Sequence, residues 1–344
     1  MTETNRQWLF KEPPLGVIPG PRNFEYREQP VPRPGPGQFL VRNIYLSCDP
    51  AMQGWMLGLG DYMAPLKPGD VMLSGAIGQV VASDRDGYAE GDLVSGTLGW
   101  SDYFLSSGRD MNGRPVGKVP EGVALPDAMS VLGMTGLTAY FGLFDIGRPL
   151  PGDQVLVSGA AGAVGSIAGQ LARIAGCRVI GIAGGDKKCR WVTEDLGFDA
   201  CIDYKSEDVA ARIAELMPGG IDVFFENVGG AILEAGLRHL NQGARVVLCG
   251  GISGYAKPQP GPANYMQLVL RRARMEGFIV LDYADRFATA IRRMAAWRAE
   301  GRLTSQVDVM DGFDKAPEAL GGLFTGTNLG KRLVRIAPDP RVAN

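Results

Sequence analysis

Val155-Leu156-Val157-Ser158-Gly159-Ala160-Ala161-Gly162-Ala163-Val164-Gly165-Ser166 is an apolar run that passes through a glycine-punctuated turn into a helical pattern. The run is short and β-branched at both ends, which reads as a buried strand. The turn has the spacing A-x-G-x-x-G, with Ala160 where the strict pattern has its first glycine. In that pattern the middle glycine, Gly162, lets the backbone come close to a pyrophosphate. The last, Gly165, lets the helix pack tightly. The residues after it open a helix whose first N–H groups have no partner inside it and whose dipole favours an anion.

Outward from this turn, strand-like and helix-like segments alternate. QVLVSG, RVIGIAG, ACID, IDVFFEN, ARVVLCG and MEGFIV read as six strands. Between and after them AVGSIAGQLARIAG, DKKCRWVTEDLG, SEDVAARIAELM, GAILEAGLRHL, NYMQLVLRRA and RFATAIRRMAAWRAEG read as helices. The alternation predicts a doubly wound α/β fold, with a six-stranded parallel sheet covered on both faces. LPDAMSVLGMTGLTAYFGLF reads as one helix leading into it.

Upstream, FEYREQP, QFLVRNIYLS, VMLSGAIGQVVAS and GDLVSGTL are strand-like runs separated by Pro/Gly clusters, which predicts a β-rich, partly open barrel. Three parts follow: 1–125, 126–301, and 302–344 returning to the first. The chain has 344 residues, consistent with two domains. Its 49 glycines lie among apolar runs and read as turns rather than disorder.

The second strand, Arg178–Ala183, bears on the cofactor. Where NAD-binding proteins place an acid for the ribose hydroxyl, this chain reads Gly184-Gly185. Lys187, Lys188 and Arg190 follow, cations suited to a phosphate on the ribose, so the expected cofactor is NADPH. Asp186 either repels that phosphate or caps the helix beginning DKKC. A solvated helix face is the lesser alternative for the lysines.

Formal net charge is -2, which gives no reason to expect a nucleic-acid or anionic-membrane partner. Five scattered cysteines argue for a reducing compartment. With no apolar signal core near Met1 and no run of membrane-spanning length, the expected location is the cytoplasm. The single histidine, His239, has no partner at zinc-ligand spacing and reads as a packing or surface residue, so no metal is expected. A Ser–His–acid set is equally absent from the pattern, although Ser158 and Ser166 flank the turn. Cys48 and Cys249 read as buried apolar residues, and Met52, Met56 and Met63 as core or pocket lining.

Several further blocks carry a family resemblance. They are Ser47-Cys48-Asp49-Pro50, Gly133-Met134, Gly136–Tyr140, AAGAVGS at 160–166, Asp203-Tyr204-Lys205, Glu226–Gly230, Cys249–Tyr255, Arg274–Phe278 and Asn328–Lys331. Together they resemble the zinc-free medium-chain dehydrogenase/reductases of the leukotriene hydroxydehydrogenase, prostaglandin reductase and curcumin reductase branch, over nearly the whole chain. The resemblance implies a GroES-like first domain and a homodimer. It implies an NADPH site built from Pro50, Ala161, Gly162, Ala163, Val164, Gly165, Gly185, Lys188, Tyr204, Asn227, Cys249, Gly250, Ile252, Ser253, Phe278, Val280 and Asn328.

The implied reaction is reduction of the carbon–carbon double bond of an enone or enal, with hydride going to the β-carbon. Negative charge then collects on the carbonyl oxygen, and donors must face it. Tyr255 is the candidate catalytic donor, or else an aromatic that packs on the cofactor. Ala51 stands where the family commonly has a pocket tyrosine. Ala51, Trp55 and Tyr255 are the candidate substrate-pocket residues. A quinone oxidoreductase shares the zinc-free layout, and an NADPH-binding protein with little turnover is the remaining alternative.

Overall fold

The computed structural model describes residues 4–59, 62–63, 65–257 and 259–342. Contacts divide the chain into two compact units. One comprises the chain up to Met129, Val307–Thr327 and the chain from Arg332. The other comprises Ser130–Gln306 and Asn328–Lys331.

The first unit begins with a hairpin of β1 (Thr4–Phe10) and β2 (Phe24–Pro30). Next come β3 (Phe39–Ser47), α1 (Ala51–Met56), β4 (Gly75–Ser83), β5 (Leu93–Thr97), β6 (Tyr103–Ser106), β7 (Gly117–Lys118) and α2 (Leu125–Met129). β3 is the organising strand. One edge pairs with β4 along its length, interrupted by register shifts at Leu40/Val41 and Asn43/Tyr45. Such irregularities bend a strand and increase its twist, as a curling sheet requires. Phe39, Val41, Met52, Trp100 and Phe313 pack into the apolar core of this unit.

The second unit holds α3 (Met134–Phe141), β8 (Gln154–Ser158), α4 (Gly165–Ile174), β9 (Arg178–Ala183), α5 (Asp186–Arg190) and β10 (Ala200–Asp203). It continues with α6 (Val209–Leu216), β11 (Ile221–Glu226), α7 (Gly230–Arg238), β12 (Leu240–Leu248), α8 (Ile252–Tyr255), α9 (Gln267–Arg271), β13 (Arg274–Gly277) and α10 (Phe287–Ala299). The strands form a six-stranded sheet in the order β10-β9-β8-β11-β12-β13, with each neighbouring pair parallel. Order reverses between β8 and β11, the switch point where α/β sheets bind ligands.

Alternate strand residues enter two different cores. Val155, Val157, Val179, Val223, Phe225 and Val247 pack on one face with residues of α3, α4 and α10. Leu156, Ile180, Ile182, Ile202, Phe224 and Val246 pack on the other with α6 and α7. A strand buried on both faces reads as the continuous apolar run that the sequence shows.

The chain then returns to the first unit through β14 (Val307–Asp311), α11 (Ala316–Thr325) and β15 (Lys331–Arg335). The sheet there runs β14-β15-β3-β4-β5-β7, with β6 also on β3. β6 pairs with Phe39–Arg42, and β15 with Tyr45–Ser47.

Three sequence expectations need correction. LPDAMSVLGMTGLTAYFGLF is not one helix, because the Ser130 carbonyl accepts Gly133 N–H, Gly136 N–H and the Thr135 hydroxyl and turns the chain. The helix expected over NYMQLVLRRA shrinks to α9, closed by Arg272 at φ 50°. The tail does not return to the first unit as a whole. Gly330 donates to Ala161 O, and Lys331 donates to Gln306 O, which ties Asn328–Lys331 to the second unit.

Candidate functional site

The turn from β8 to α4 carries the expected geometry. Gly159 has φ 60°. A Cβ on Gly165 would lie 2.3 Å from Gly159 O, so only glycine permits this closeness of helix and turn. A Cβ on Gly162 would meet only Gly159 O, at 3.1 Å, and would otherwise fill the space before the turn. Among the described residues, the N–H groups of Ala163 and Val164 donate to no protein acceptor. An open glycine surface, unspent N–H groups and a helix N-terminus fit a pyrophosphate. Gly330 forms a parallel bridge with Gly162, so the returning tail braces the turn. Asn328 turns that tail, its Nδ2 donating to Gly330 O at 2.9 Å.

At the end of β9 the chain opens at Gly184-Gly185. Gly185 has φ 96°, with nothing within 4 Å of a Cβ built there. A Cβ on Gly184 would lie 2.8 Å from the Tyr204 ring, so the ring lies on the Gly184 backbone. Lys187 is exposed, whereas Lys188 is half-buried. The sequence could not separate them; helical phase places Lys188 on the sheltered side.

Asp186 is not a cap. Gly185 holds the N-cap position, and the Asp186 carboxylate pairs with Arg190 at 2.8 Å. That pairing occupies both the acid that threatened a phosphate and one of the candidate cations.

Asp203 went unrecognised as a site residue in the sequence. Its Oδ1 accepts Gly185 N–H at 2.7 Å and Lys205 N–H at 3.0 Å, and Oδ2 accepts the Ser206 hydroxyl. Burial opposes its charge, but these donors outweigh burial and hold its pKa below the ordinary carboxylate value. This second acid beside the turn is thus engaged in fixing the loop.

A second unread residue is Glu226, the last of β11, fully buried with 0% exposure. Its Oε1 accepts Val228 N–H at 2.6 Å and Gly229 N–H. Burial pushes its pKa up to about 7, against the pull of those N–H groups and of the Ser158 hydroxyl. An acid ending an apolar strand was the available signal.

Asn227 links two strand ends. Its N–H donates to Ser158 Oγ at 2.8 Å, and its Nδ2 donates to Ser158 O at 2.7 Å. Ser158 thereby acts as a cross-strand brace.

The Cys249–Tyr255 segment folds back over the end of β11. Cys249 N–H and Gly250 N–H reach Glu226 O, Ile252 N–H reaches Asn227 O, and Ser253 uses both its N–H and its hydroxyl on Val228 O. The Tyr255 phenol oxygen accepts Gly251 N–H at 3.3 Å. Burial, with the Glu226 charge, pushes the Cys249 thiol up to about 12, so it stays protonated at neutral pH. Glu226, Cys249, Gly250, Gly251 and Phe278 line a cavity of about 680 Å³ in this unit. Phe278 sits over Gly142, where a Cβ would lie 2.7 Å from its ring. Val280 opens a 3₁₀ turn and packs on the adjoining core.

The structure therefore gathers Ala161–Gly165, Gly185, Lys188, Tyr204, Asn227, Cys249–Tyr255, Phe278, Val280 and Asn328 within one unit. Pro50, Ala51 and Trp55 belong to the other. Pro50 is the N-cap of α1 and Ala51 its first residue. Trp55 lies on α1, and its indole N–H donates to Tyr62 Oη at 3.2 Å. Gly60, Asp61 and Ala64 of that neighbourhood lie outside the described residues. Met52 and Met56 are core.

His239 follows α7 as its C-cap, and burial, then the Arg238 charge, lower its pKa. Among the described residues, no three His, Cys, Asp or Glu side chains gather as a metal site.

Comparison with known proteins extends this picture. Residues 6–116 match a family model described as the N-terminal domain of oxidoreductase, and residues 163–296 one described as zinc-binding dehydrogenase. The NADPH-dependent curcumin reductase of Escherichia coli (strain K12) is 42% identical over 98% of both chains. The 2-alkenal reductase (NADP(+)-dependent) of Nicotiana tabacum is 37% identical over 89% of both. The crystal structure of CurA in complex with NADPH from Vibrio vulnificus superposes with a TM-score of 0.90 at 39% identity, covering 97% of this chain and 100% of that one. With sequence likeness across both units and a fold to match, the chain belongs to the medium-chain dehydrogenase/reductase family, in the branch that holds the curcumin and 2-alkenal reductases.

Proposed function

We propose that this protein is an NADPH-dependent reductase of the carbon–carbon double bond of α,β-unsaturated ketones and aldehydes. The observation that carries the reading is the end of β9. There an open Gly184-Gly185 turn lies beside the half-buried Lys188 and under Tyr204, with Asp203 turned to backbone N–H groups. This supports a ribose phosphate in a chain whose relatives include named curcumin and 2-alkenal reductases.

NADPH, when bound, supplies the hydride that adds to the β-carbon. The protein's own part is to hold and to polarise. Ala163 and Val164 N–H groups and the α4 N-terminus take the pyrophosphate. Lys188 gives a charge-assisted hydrogen bond to the 2′-phosphate, and Tyr204 covers that side. Asn227, Cys249, Gly250, Ile252, Ser253, Phe278, Val280 and Asn328 line the remaining length. Tyr255, oriented by the Gly251 N–H on its oxygen, donates to the substrate carbonyl oxygen as charge gathers there. Ala51 and Trp55 are assigned to the substrate side, where alanine in place of a tyrosine leaves a wider pocket.

The protein acts as a cytoplasmic homodimer in this reading. β13 is an edge strand, and α9 just before it exposes Val269 and Leu270, with Tyr265 and Met266 preceding. An open edge beside an apolar patch suits isologous pairing.

The test is to mix the protein with NADPH and follow its absorbance with trans-2-alkenals and enones, then with quinones. Turnover on enones and enals alone is expected. Semiquinone formation would favour the quinone reading, and tight NADPH binding without turnover on any acceptor would favour a binding protein.

A further inference from the structure

The cavity of about 680 Å³ in the second unit carries one polar group that the proposed chemistry does not use. Glu226 closes β11, fully buried, and holds both lips of that cavity. Its Oε1 takes the N–H groups of Val228 and Gly229 on one side. Its main-chain oxygen takes those of Cys249 and Gly250 on the other. Oε2 is buried with no hydrogen-bond partner among the described residues. Among the described residues that line the cavity there is no lysine or arginine. A carboxylate buried without a cation and with one bare oxygen is costly, and keeping a proton lowers that cost.

The groups around it supply no compensating positive charge. β8 presents the Ser158 hydroxyl. The end of β12 presents the Cys249 thiol, itself kept protonated by burial and the Glu226 charge. In the segment that follows, the Tyr255 oxygen takes Gly251 N–H, and Lys257 is exposed beyond it. Asp282, from the turn after β13, also lines the cavity and is exposed and of like sign. On α7, Glu234 accepts Ala263 N–H, and Arg238 stands in the last turn, at the end away from Val228 and Gly229. Arg274 is paired with Glu276, and Arg286 with Asp145. With a pKa of about 7, Glu226 of the free protein is close to half ionised at neutral pH.

We propose that Glu226 takes up a proton when NADPH binds, and that the loaded protein carries it as the neutral acid. A ligand seated in the cavity replaces the solvent beside Glu226, and its phosphates add negative charge to the same unit. Both effects disfavour the carboxylate. The bound form then holds the proton more tightly than the free form. Affinity for NADPH therefore falls as pH rises above the pKa of the free protein and is indifferent to Glu226 well below it. The proton comes from solvent, and only the O–H bond is made. The neutral acid keeps Oε1 for both N–H groups, so uptake leaves the lips of the cavity in place. The inference rests on the reading that the nicotinamide end of NADPH occupies this cavity.

The experiment titrates NADPH calorimetrically into the full-length protein at pH 8, in two buffers of different ionisation enthalpy, which counts the protons exchanged. The wild type should take up about half a proton or more beyond the count for Glu226→Gln, and its Kd for NADPH should rise about fivefold or more from pH 7 to 8.5, against a change within about twofold in the variant. Adenosine 2′,5′-bisphosphate, which has the ribose phosphate but no nicotinamide, should bind without this extra uptake. Equal proton counts in wild type and Glu226→Gln would overturn the proposal and leave the reductase reading intact. The same extra uptake with adenosine 2′,5′-bisphosphate would overturn the seating of the nicotinamide end in this cavity, and the proposal with it. No binding of NADPH at all would overturn the functional reading itself. If Glu226→Gln does not fold, infrared difference spectra of the wild type at pH 8 decide: a carboxylic-acid band gained with NADPH supports the proposal, and its absence overturns it.

Discussion

The Tyr204 ring rests on the bare Cα of Gly184, so close that a methyl group there would lie 2.8 Å from the phenol oxygen. Gly184→Ala should push the ring aside and disturb the ribose-phosphate side of the site. The expected outcome is a KM for NADPH raised roughly 5- to 20-fold, on the order of 1–2 kcal/mol, with kcat nearly preserved. Initial-rate kinetics against NADPH check this, and an unmoved KM would detach Tyr204 from the cofactor.

Lys188→Ala should weaken NADPH far more than NADH. A hydrogen bond to a charged group contributes roughly 1.5–3 kcal/mol, which corresponds to a loss of about 10- to 100-fold in the NADPH/NADH preference. Lys187→Ala is the control: that side chain is exposed, and its removal should leave the preference within about twofold. The ratio of kcat/KM for the two cofactors reads both.

Tyr255→Phe should lower the rate on an enone more than it alters affinity for NADPH. An interaction made only as charge develops lowers kcat and kcat/KM together, here by about 10- to 100-fold if one donor to the oxyanion is lost. Equal activity would move that role to another donor.

Glu226 gives a pH prediction. Its pKa in the folded chain is about 7, against an ordinary value of 4.5. The folded state therefore holds this proton where the unfolded state has released it. The resulting stabilisation is complete below pH about 4.5, falls as pH rises, and is gone above about 7. The shift corresponds to roughly 3 kcal/mol at most. Glu226→Gln keeps an oxygen for Val228 and Gly229 N–H and cannot ionise. Chemical denaturation from pH 5 to 8 should show a smaller decline with pH in the variant. Parallel curves would show that Glu226 does not titrate in this range.

The nucleotide unit was readable almost strand by strand, because its central strands β8, β9 and β11 are buried along nearly their whole length and leave an uninterrupted apolar signature. The first unit was less legible. β1 escaped notice because its inward residues include Asn5 and Gln7, and Asn5 is satisfied by hydrogen bonds to the Tyr103 backbone rather than by apolar contact. Period-two hydrophobicity is silent on such a strand. α11 was hidden by Gly321 and Gly322, although Pro317 near its start and Gly326 at its end are standard stop-and-start residues.

At the site, glycine spacing and the missing acid after β9 could be read directly. The roles of Asp203 and Glu226 could not, since both act on backbone N–H groups that only the folded loops bring near. Likewise, two lysines in succession look alike in a sequence and separate only when one is sheltered.

The brace from Gly330 to the phosphate turn has a consequence for how the chain matures. Ala161 and Gly162 emerge from the ribosome long before the segment that supports them. The six-stranded sheet can assemble early, but its ligand-holding bend stays unfinished until the late segment has threaded back. A fragment cut after Gln306 would keep the sheet while lacking this strut. Completion of the bend that holds a dinucleotide therefore waits on this segment, made well after the architecture that displays it.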